Sequence, residues 1–194
     1  MKILLGPETD NLTELYAPLG TPWLRANMVT TADGGASGSS GTSGSINNAA
    51  DKVVFDHLRA TTDVIVVGAG TARIEGYRPA DRPIVVVSRS DEVPERLRGG
   101  PEGSVLVRPL DDPADFKQWL VDRGWSRILC EGGPSLLGDL LAAGVVDELC
   151  TTTVPRLVGG DAPRIVGGPA LDVPLRLHTL LESDGTLLAR WLVG

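Results

Sequence analysis

The sequence contains few of the residues from which disulfide frameworks and metal sites are built. Its 194 residues include two cysteines, Cys130 and Cys150, and two histidines, His57 and His178. Both cysteines lie in short apolar runs that are typical of strands, which indicates buried, reduced thiols and no disulfide. Neither cysteine has a metal-ligand spacing to another cysteine or histidine, so the sequence predicts no metal site.

Positive charge and long apolar runs are also scarce. There are 18 Lys and Arg against 25 Asp and Glu, a formal net charge of −7, which argues against broad binding to a nucleic-acid backbone. No run is long and apolar enough to cross a membrane, and the apolar stretch at the N-terminus is too short for a secretory signal. We therefore expect a cytoplasmic protein with no nucleic-acid or membrane partner.

The length and the 42% hydrophobic content suit one domain, residues 1–194, with 1–20 as a helix or N-terminal arm. Apolar runs that indicate buried strands alternate with helical patterns along most of the chain. The strands are expected at 23–29, 64–67, 84–87, 104–107, 128–130 and 147–154, and the helices at 49–59, from 112, and at 135–143. This alternation predicts an α/β fold with a mostly parallel central sheet.

The C-terminal tail follows a different pattern. Two strand-like segments, 175–181 and 187–193, flank the turn sequence Glu182-Ser-Asp-Gly185. Such a turn between apolar segments predicts an antiparallel hairpin. We expect this hairpin to close one edge of the sheet.

Two glycine turns follow strands. The first is Gly68-Ala-Gly70-Thr71, and the second is Glu131-Gly132-Gly133-Pro134-Ser135, which opens a helix. Free backbone N–H groups and the helix dipole at such turns suit a phosphate or pyrophosphate. The first turn has two of the three glycines of the dinucleotide fingerprint, with Arg73 in the third place, so a tight turn without a ligand is an equal alternative.

Ser88 and Arg89 follow the strand after the first glycine turn, where an NAD-binding unit carries an acidic residue. A hydroxyl and a guanidinium suit a 2′-phosphate instead, which favours NADPH over NADH. The alternative is an exposed polar strand end. There is no nucleophile elbow, P-loop lysine or metal cluster, an absence that suits hydride transfer from a cofactor.

Two acidic residues also lie at strand ends. Glu131 would repel a phosphate, so we expect it to accept hydrogen bonds from substrate or cofactor, or else to pair with an arginine. Asp33 precedes two glycines and is either a turn former or an active-site carboxylate. The Gly-, Ser- and Thr-rich stretch from 30 to 46 is either a linker or an active-site loop, and its position between a strand and a helix favours the loop.

An ordered set of motifs resembles the riboflavin-biosynthesis reductase family, the reductase domain of bifunctional deaminase–reductases, related in fold to dihydrofolate reductase. The resemblance covers about residues 22–193. The segments that carry it are Asn27–Gly34, Leu58-Arg59, Val64–Thr71, Pro83–Arg89, Cys130–Leu137, Val146–Leu149 and Pro155–Gly160. It implies a dihydrofolate reductase-like three-layer fold, with helices on both faces of the sheet.

The resemblance also implies NADPH-dependent reduction of 5-amino-6-(5-phosphoribosylamino)uracil to the ribitylamino product by a homodimer. Asp33 would lie at the reacting centre. Residues that would bind the cofactor are Thr30, Gly68, Gly70, Thr71, Glu75, Ser88, Arg89, Gly132, Gly133, Pro134, Ser135, Leu136 and Leu137. Residues that would bind the substrate are Asn27, Ser43, Arg59, Arg78, Arg82 and Glu131.

The sequence departs from the family pattern at two places. Ser45 stands where members often carry an aromatic residue, and Glu75-Gly-Tyr-Arg78-Pro79 replaces an acidic pair with a proline. The second departure leaves open whether Arg78 or Arg82 faces the substrate phosphate. Three alternatives remain: a dihydrofolate- or pterin-reducing enzyme of the same fold, a non-catalytic NADPH-binding homologue, and a phosphosugar-binding domain without a dinucleotide.

Overall fold

The computed structural model describes residues 1–194, and its strands form one nine-stranded sheet. The strands are β1 (Lys2–Leu5), β2 (Trp23–Thr31), β3 (Val64–Gly68), β4 (Ile84–Val87), β5 (Val105–Arg108), β6 (Arg127–Cys130), β7 (Glu148–Val154), β8 (Leu175–Ser183) and β9 (Thr186–Val193). The helices are α1 (Leu12–Leu15), α2 (Ala49–Thr61), α3 (Ala69–Ile74), α4 (Pro113–Val121) and α5 (Pro134–Ala142), with single 3₁₀ turns at Ser43–Ser45 and Glu95–Leu97.

The strand order is β1-β8-β9-β7-β2-β6-β3-β4-β5. The six strands from β7 to β5 in this order are parallel to one another, whereas β8 pairs antiparallel with β1 and β9, and β9 pairs antiparallel with β7. The predicted mostly parallel α/β sheet is therefore confirmed. Because parallel strands end at the same edge, the loops that follow β2, β3, β4 and β6 meet there.

Helices cover both faces of the sheet, as expected from strands that are apolar on both sides. Along β3, Val64 and Val66 belong to the core under α4 and α5, whereas Ile65 and Val67 pack on the other side with α3. A third cluster on the α3 side joins α1 and α2 to the sheet through residues such as Leu58. No helix of the structure combines the length and the apolar composition that a membrane span requires.

The C-terminal hairpin is confirmed as β8 and β9, joined by a tight turn in which Asp184 and Gly185 both have positive φ. Its expected position at the sheet edge was wrong, because β1 pairs with β8 on the outer side. The expectation of only a helix or arm over residues 1–20 was incomplete for the same reason. A four-residue segment has too short a pattern to identify a strand whose partner lies far away in sequence.

Candidate active site

A cavity of about 540 Å³ opens at the carboxyl edge of the parallel strands. One wall is α2, and the opposite wall is the segment that follows α3. The loop between β2 and α2 and the Glu131 turn complete it. Side chains that line the cavity and matter below are Asn27, Ser43, Asp51, Phe55, Arg59, Thr71, Glu75, Tyr77, Arg78 and Glu131. The Gly- and Ser-rich stretch is therefore part of a cavity wall, which favours the loop interpretation.

The two glycine turns lie against each other beside this cavity. The Gly68 N–H donates to the Gly132 carbonyl oxygen at 2.7 Å, and the Gly132–Gly133 peptide bond is cis. A Cβ at Gly133 would clash with Thr71 Oγ1, so a larger residue at this position would push the turns apart. Their contact brings both turns together at one edge of the sheet.

The first turn of α5 offers free hydrogen-bond donors. Gly133 is the N-cap and gives no side-chain cap, and the N–H groups of Ser135 and Leu136 have no protein acceptor. Ser135 is exposed, and a Cβ at Gly70 on the neighbouring turn would meet only open space. Unpaired amides at a helix start, beside a surface that lacks side chains, fit the phosphates of a dinucleotide.

Ser88 and Arg89 follow β4 at the same edge, next to the first glycine turn. Gly68 and Val87 are partners in the β3–β4 pairing, so the two residues lie one step beyond that pair. Ser88 is half-buried, and its N–H donates to the carbonyl of Arg108 at 3.0 Å. Arg89 is exposed and forms no ion pair, which leaves its guanidinium available to a phosphate.

Glu131 is held by two residues on opposite walls of the cavity. Its Oε1 accepts from Arg59 Nε at 2.8 Å, and its Oε2 accepts from Arg59 Nη2 at 2.7 Å and from the Tyr77 hydroxyl at 2.5 Å. Burial opposes the charge of Arg59, but hydrogen bonding and attraction to Glu131 outweigh this effect, so the pKa of Arg59 is raised. Burial and then the nearby carboxylate raise the pKa of Tyr77 well above its ordinary value.

This arrangement gives Glu131 a different task from the one expected first. Both carboxylate oxygens are engaged by protein donors, so the alternative of pairing with an arginine is the one that the structure shows. Arg59 packs over the ring of Phe55, at 4.4 Å from the centroid, and retains Nη1 for a ligand. Glu131 therefore positions a guanidinium whose remaining donors line the cavity.

Two further contacts connect the cavity walls. The Ser43 N–H donates to Glu75 Oε1 at 2.7 Å, so Glu75, expected to bind the cofactor, holds the loop before α2 through one carboxylate oxygen. Arg78 lines the cavity, is exposed and forms no ion pair. Arg82 does not line it: it precedes β4 at the opposite edge, where its Nη2 donates to the carbonyl of Ala60 at 2.6 Å.

Asp33 is the clearest difference between expectation and structure. It is exposed, does not line the cavity, and accepts from Thr31 Oγ1 at 2.5 Å and from the N–H groups of Val158 and Gly159 at 3.1 and 2.7 Å. Hydrogen bonds from Thr31 and then from the Gly159 backbone lower the pKa of Asp33. It acts as a turn former that binds the loop after β7, as its Asp-Gly sequence allows.

Sequence reasoning missed three of these cavity residues, Asp51, Phe55 and Tyr77. Asp51 lies in the first turn of α2, is 3% exposed, and lines the cavity. Burial raises the pKa of Asp51, and a side-chain hydrogen bond with Thr152 opposes the shift. A signal for Asp51 was present, since Asp51, Phe55 and Arg59 recur at a spacing of four on one helix face.

Comparison with known families identifies the chain. The RibD C-terminal domain family matches residues 22–188. The chain belongs to this family. RibD of Mycobacterium tuberculosis H37Rv is 30% identical over 152 residues, which cover 73% of this chain and 44% of RibD. The chain thus spans less than half of the length of that RibD.

Solved structures of other proteins share the fold of this RibD C-terminal domain. A pyrimidine reductase-like protein from Corynebacterium diphtheriae superposes with a TM-score of 0.75 at 24% identity, covering 95% of each chain. Dihydrofolate reductase from Enterococcus faecalis, complexed with NADP(H) and RAB-propyl, superposes with a TM-score of 0.63 at 17% identity, covering 89% of this chain and 97% of that one. The expected dihydrofolate reductase-like fold is confirmed.

Proposed function

We propose that this RibD C-terminal domain uses NADPH to reduce the ribosylamino group of 5-amino-6-(5-phosphoribosylamino)uracil to a ribitylamino group. Family membership supports a reductase of riboflavin biosynthesis. The observation that carries the proposal is the contact between the two glycine turns beside a cavity that presents Arg59. A dinucleotide surface and a polar substrate cavity are thereby adjacent, which hydride transfer requires.

The chain supplies the groups that would hold the cofactor. The N–H groups of Ser135 and Leu136 suit its pyrophosphate, and Ser88 with Arg89 suits its 2′-phosphate. Thr71 lines the boundary between this surface and the cavity. When bound, NADPH supplies the hydride.

The substrate would lie in the cavity with its phosphate on guanidinium groups. Arg59 is rigidly placed by Glu131 and carries free donors, whereas Arg78 is exposed and free of ion pairs. Ser43 and Asn27 add polar groups to the walls, and Asn27 is 8% exposed. Of the two candidate arginines, Arg78 is therefore the one we propose for the phosphate, in place of Arg82.

Steady-state oxidation of NADPH in the presence of the phosphorylated pyrimidine tests the proposal. We expect turnover with NADPH and much weaker turnover with NADH. Dihydrofolate in place of the pyrimidine is the control substrate. Turnover of dihydrofolate alone would assign a dihydrofolate-reducing activity, and NADPH binding without turnover of either compound would indicate a non-catalytic homologue.

The 2′-phosphate assignment has a separate test. Arg89→Ala should weaken NADPH binding relative to NADH by about 1.5–3 kcal/mol, because a charge-assisted hydrogen bond is lost. Arg123→Ala, at an exposed position just after α4, is the matched control and should change neither affinity. Equal losses for both cofactors on Arg89→Ala would contradict the assignment.

We also propose that the domain forms a homodimer, which the family resemblance implies. Light scattering after size-exclusion chromatography would report about twice the 20.4 kDa chain mass. A mass equal to that of one chain would contradict this proposal and leave the reductase assignment untouched.

A further inference from the structure

A second, smaller cavity lies at the opposite edge of the sheet from the candidate active site. It has a volume of about 140 Å³ and lies between α1, the C-terminal half of α2 and the first residues of β2 and β6. Its walls combine aliphatic side chains such as Leu58 and Ile128 with the rings of Tyr16, Trp23 and His57, and no Asp or Glu lines it. The two cavities share no lining residue, so the smaller one is a separate site.

Arg25 lines this small cavity and has hydrogen-bond donors to spare. It is the third residue of β2 and is 8% exposed. Its Nη2 donates to the carbonyl of Tyr16 at 2.6 Å and to Glu148 Oε2 at 2.9 Å. Its Nε is buried without a hydrogen-bond partner, and its Nη1 has no protein acceptor and is not fully enclosed. A buried guanidinium with unused donors favours an acceptor in the cavity that it lines.

The cluster around Arg25 carries one positive charge more than its carboxylate balances. Arg25 and Arg190 are both paired with the same residue, Glu148. Burial raises the pKa of Tyr16 and that of Cys150, so neither side chain supplies a negative charge near pH 7. Because a buried charge without a counter-charge is costly, this excess would stabilise an anion in the adjacent cavity.

The other polar groups of the small cavity do not supply the missing charge. Arg127 is already balanced by Asp63, which accepts from its Nε at 3.0 Å and from its Nη2 at 2.6 Å. Burial, and then the charge of Arg25, lowers the pKa of His57, so its imidazole is neutral near pH 7. A bound water could accept from Arg25 but could not balance its charge. The cavity therefore suits an anion better than a neutral molecule.

We propose that the small cavity binds a small carboxylic acid with an apolar body, its carboxylate on Arg25 and its body among the aliphatic and aromatic side chains. One excess positive charge matches a monoanion, and a guanidinium matches a carboxylate in geometry. The apolar part of the wall disfavours an inorganic ion such as phosphate, which would lose its hydration without replacement. A cavity of about 150 Å³ accommodates benzene, so an aromatic acid of the size of benzoate fits.

Binding of benzoate and of benzamide, its neutral isostere, tests this site without reference to the reductase activity. By protein-observed NMR titration, the wild-type chain should bind benzoate about tenfold or more tightly than benzamide, because only benzoate forms charge-assisted hydrogen bonds. The largest shift changes should fall on the amides of α1 and of Thr61 and Thr62, which border the small cavity. Changes confined to the Glu131 turn would place benzoate in the large cavity and overturn the proposal.

Arg25→Lys tests the guanidinium itself. It keeps a positive charge for Glu148 but loses the planar fork, so benzoate should bind about tenfold more weakly. Arg59→Lys makes the same replacement in the large cavity and is the matched control, which should keep the wild-type affinity for benzoate.

Four further results would overturn the proposal. They are equal binding of benzoate and benzamide, unchanged benzoate affinity in Arg25→Lys, no binding of benzoate at millimolar concentration, and the same shift changes with sodium chloride at equal ionic strength. The last result would assign the cavity to an inorganic anion. The comparison of benzoate, benzamide and chloride uses the wild-type chain, so it stands even if Arg25→Lys fails to fold.

Discussion

Two carboxylates are bound by arginine: Glu131, which directly follows β6, and Glu148, which begins β7. Glu131 shares Arg59 with the cavity, where the arginine side chain remains 28% exposed. Glu148 is 0% exposed and is bound by Arg25 and Arg190, with Arg190 itself 1% exposed. The same ion-pair chemistry is thus open to the large cavity at one carboxylate and closed at the other.

In the closed cluster the Glu148 carboxylate is saturated with protein donors, although Arg25 Nε is buried without a hydrogen-bond partner. Glu148 accepts from Trp23 Nε1 at 2.7 Å as well as from both arginines. Arg190 also donates to the carbonyls of Leu15 and Ala17, which follow or end α1. The Glu148 cluster therefore connects the N-terminal segment to the sheet, whereas the Glu131 cluster leaves donors facing the large cavity. The difference teaches that donors facing the large cavity, and not charge pairing, distinguish the candidate site.

The largest effect should come from breaking the closed cluster. Glu148→Gln would leave two buried arginines without a counter-charge and should reduce the free energy of unfolding by about 3–5 kcal/mol. Urea unfolding measures this loss as a lower midpoint. Glu92→Gln, at an exposed position, is the control. A midpoint shift as small as that of the control would contradict the large contribution of the Glu148 cluster to the free energy of unfolding.

The pH dependence of stability should identify the same cluster. Burial opposes ionisation of Glu148, but hydrogen bonds and attraction from Arg190 and Arg25 outweigh it and lower its pKa to about 2 from 4.5. Its stabilising contribution is therefore present above about pH 4.5 and is lost as the pH falls towards 2. The loss should amount to roughly 3 kcal/mol in wild-type unfolding. In Glu148→Gln, the free energy of unfolding should change much less between pH 4.5 and pH 2. An unchanged pH dependence would contradict the assignment of this loss to Glu148.

In the open Glu131 cluster, a comparable change should weaken substrate binding more than it lowers the free energy of unfolding. Arg59→Lys keeps the charge but loses the planar fork, and we expect KM for the pyrimidine to rise about 10- to 100-fold with an unfolding cost of about 1 kcal/mol. Steady-state kinetics and urea unfolding measure the two effects. Arg127→Lys changes an exposed pair with Asp63 at the opposite edge and should leave KM unchanged. If Arg59→Lys cost more free energy of unfolding than free energy of substrate binding, the proposed difference between the Glu131 and Glu148 clusters would be contradicted.

The smallest effect should come from the Tyr77 hydroxyl. Tyr77→Phe leaves Glu131 bound by Arg59 and removes one hydrogen bond, so the free energy of unfolding should fall by about 0.5–1.5 kcal/mol. KM should change only a few-fold, as the position of Arg59 relaxes slightly. If kcat collapsed at unchanged KM, Tyr77 would belong to the chemical step and the Glu131 cluster would do more than position a guanidinium.

Local patterns predicted much of the fold. The apolar runs of β3 and β4, the glycine turns after β3 and β6, and the C-terminal hairpin were visible because each depends on neighbouring residues. The pairing of β1 with β8 was not visible, because it joins segments more than 170 residues apart. The contacts of Glu148 with Arg25 and Arg190 were hidden for the same reason.

The position of the candidate site was predicted from the sequence, but the roles expected of its carboxylates were not. The turns at Gly68 and Gly132 were both expected to suit cofactor phosphates, and they lie in contact at one edge of the sheet. Asp33 was expected at the reacting centre because it follows a strand within a family motif, yet its acceptors are used by the loop at Val158 and Gly159. Asp51 stood outside every quoted motif, although it lies in the cavity wall.

The sequence by itself determined where strands end and helices begin, and therefore where backbone donors collect. Periodicity and turn chemistry act over a few residues, so they can be read without the partner segments. Only the tertiary structure decided which acidic side chains are already satisfied: Glu131 and Glu148 by arginines, Asp33 by backbone amides, and Asp51 by no cation. That distinction depends on groups that long-range folding brings together, because hydrogen-bonding capacity is consumed by neighbours in space and not in sequence.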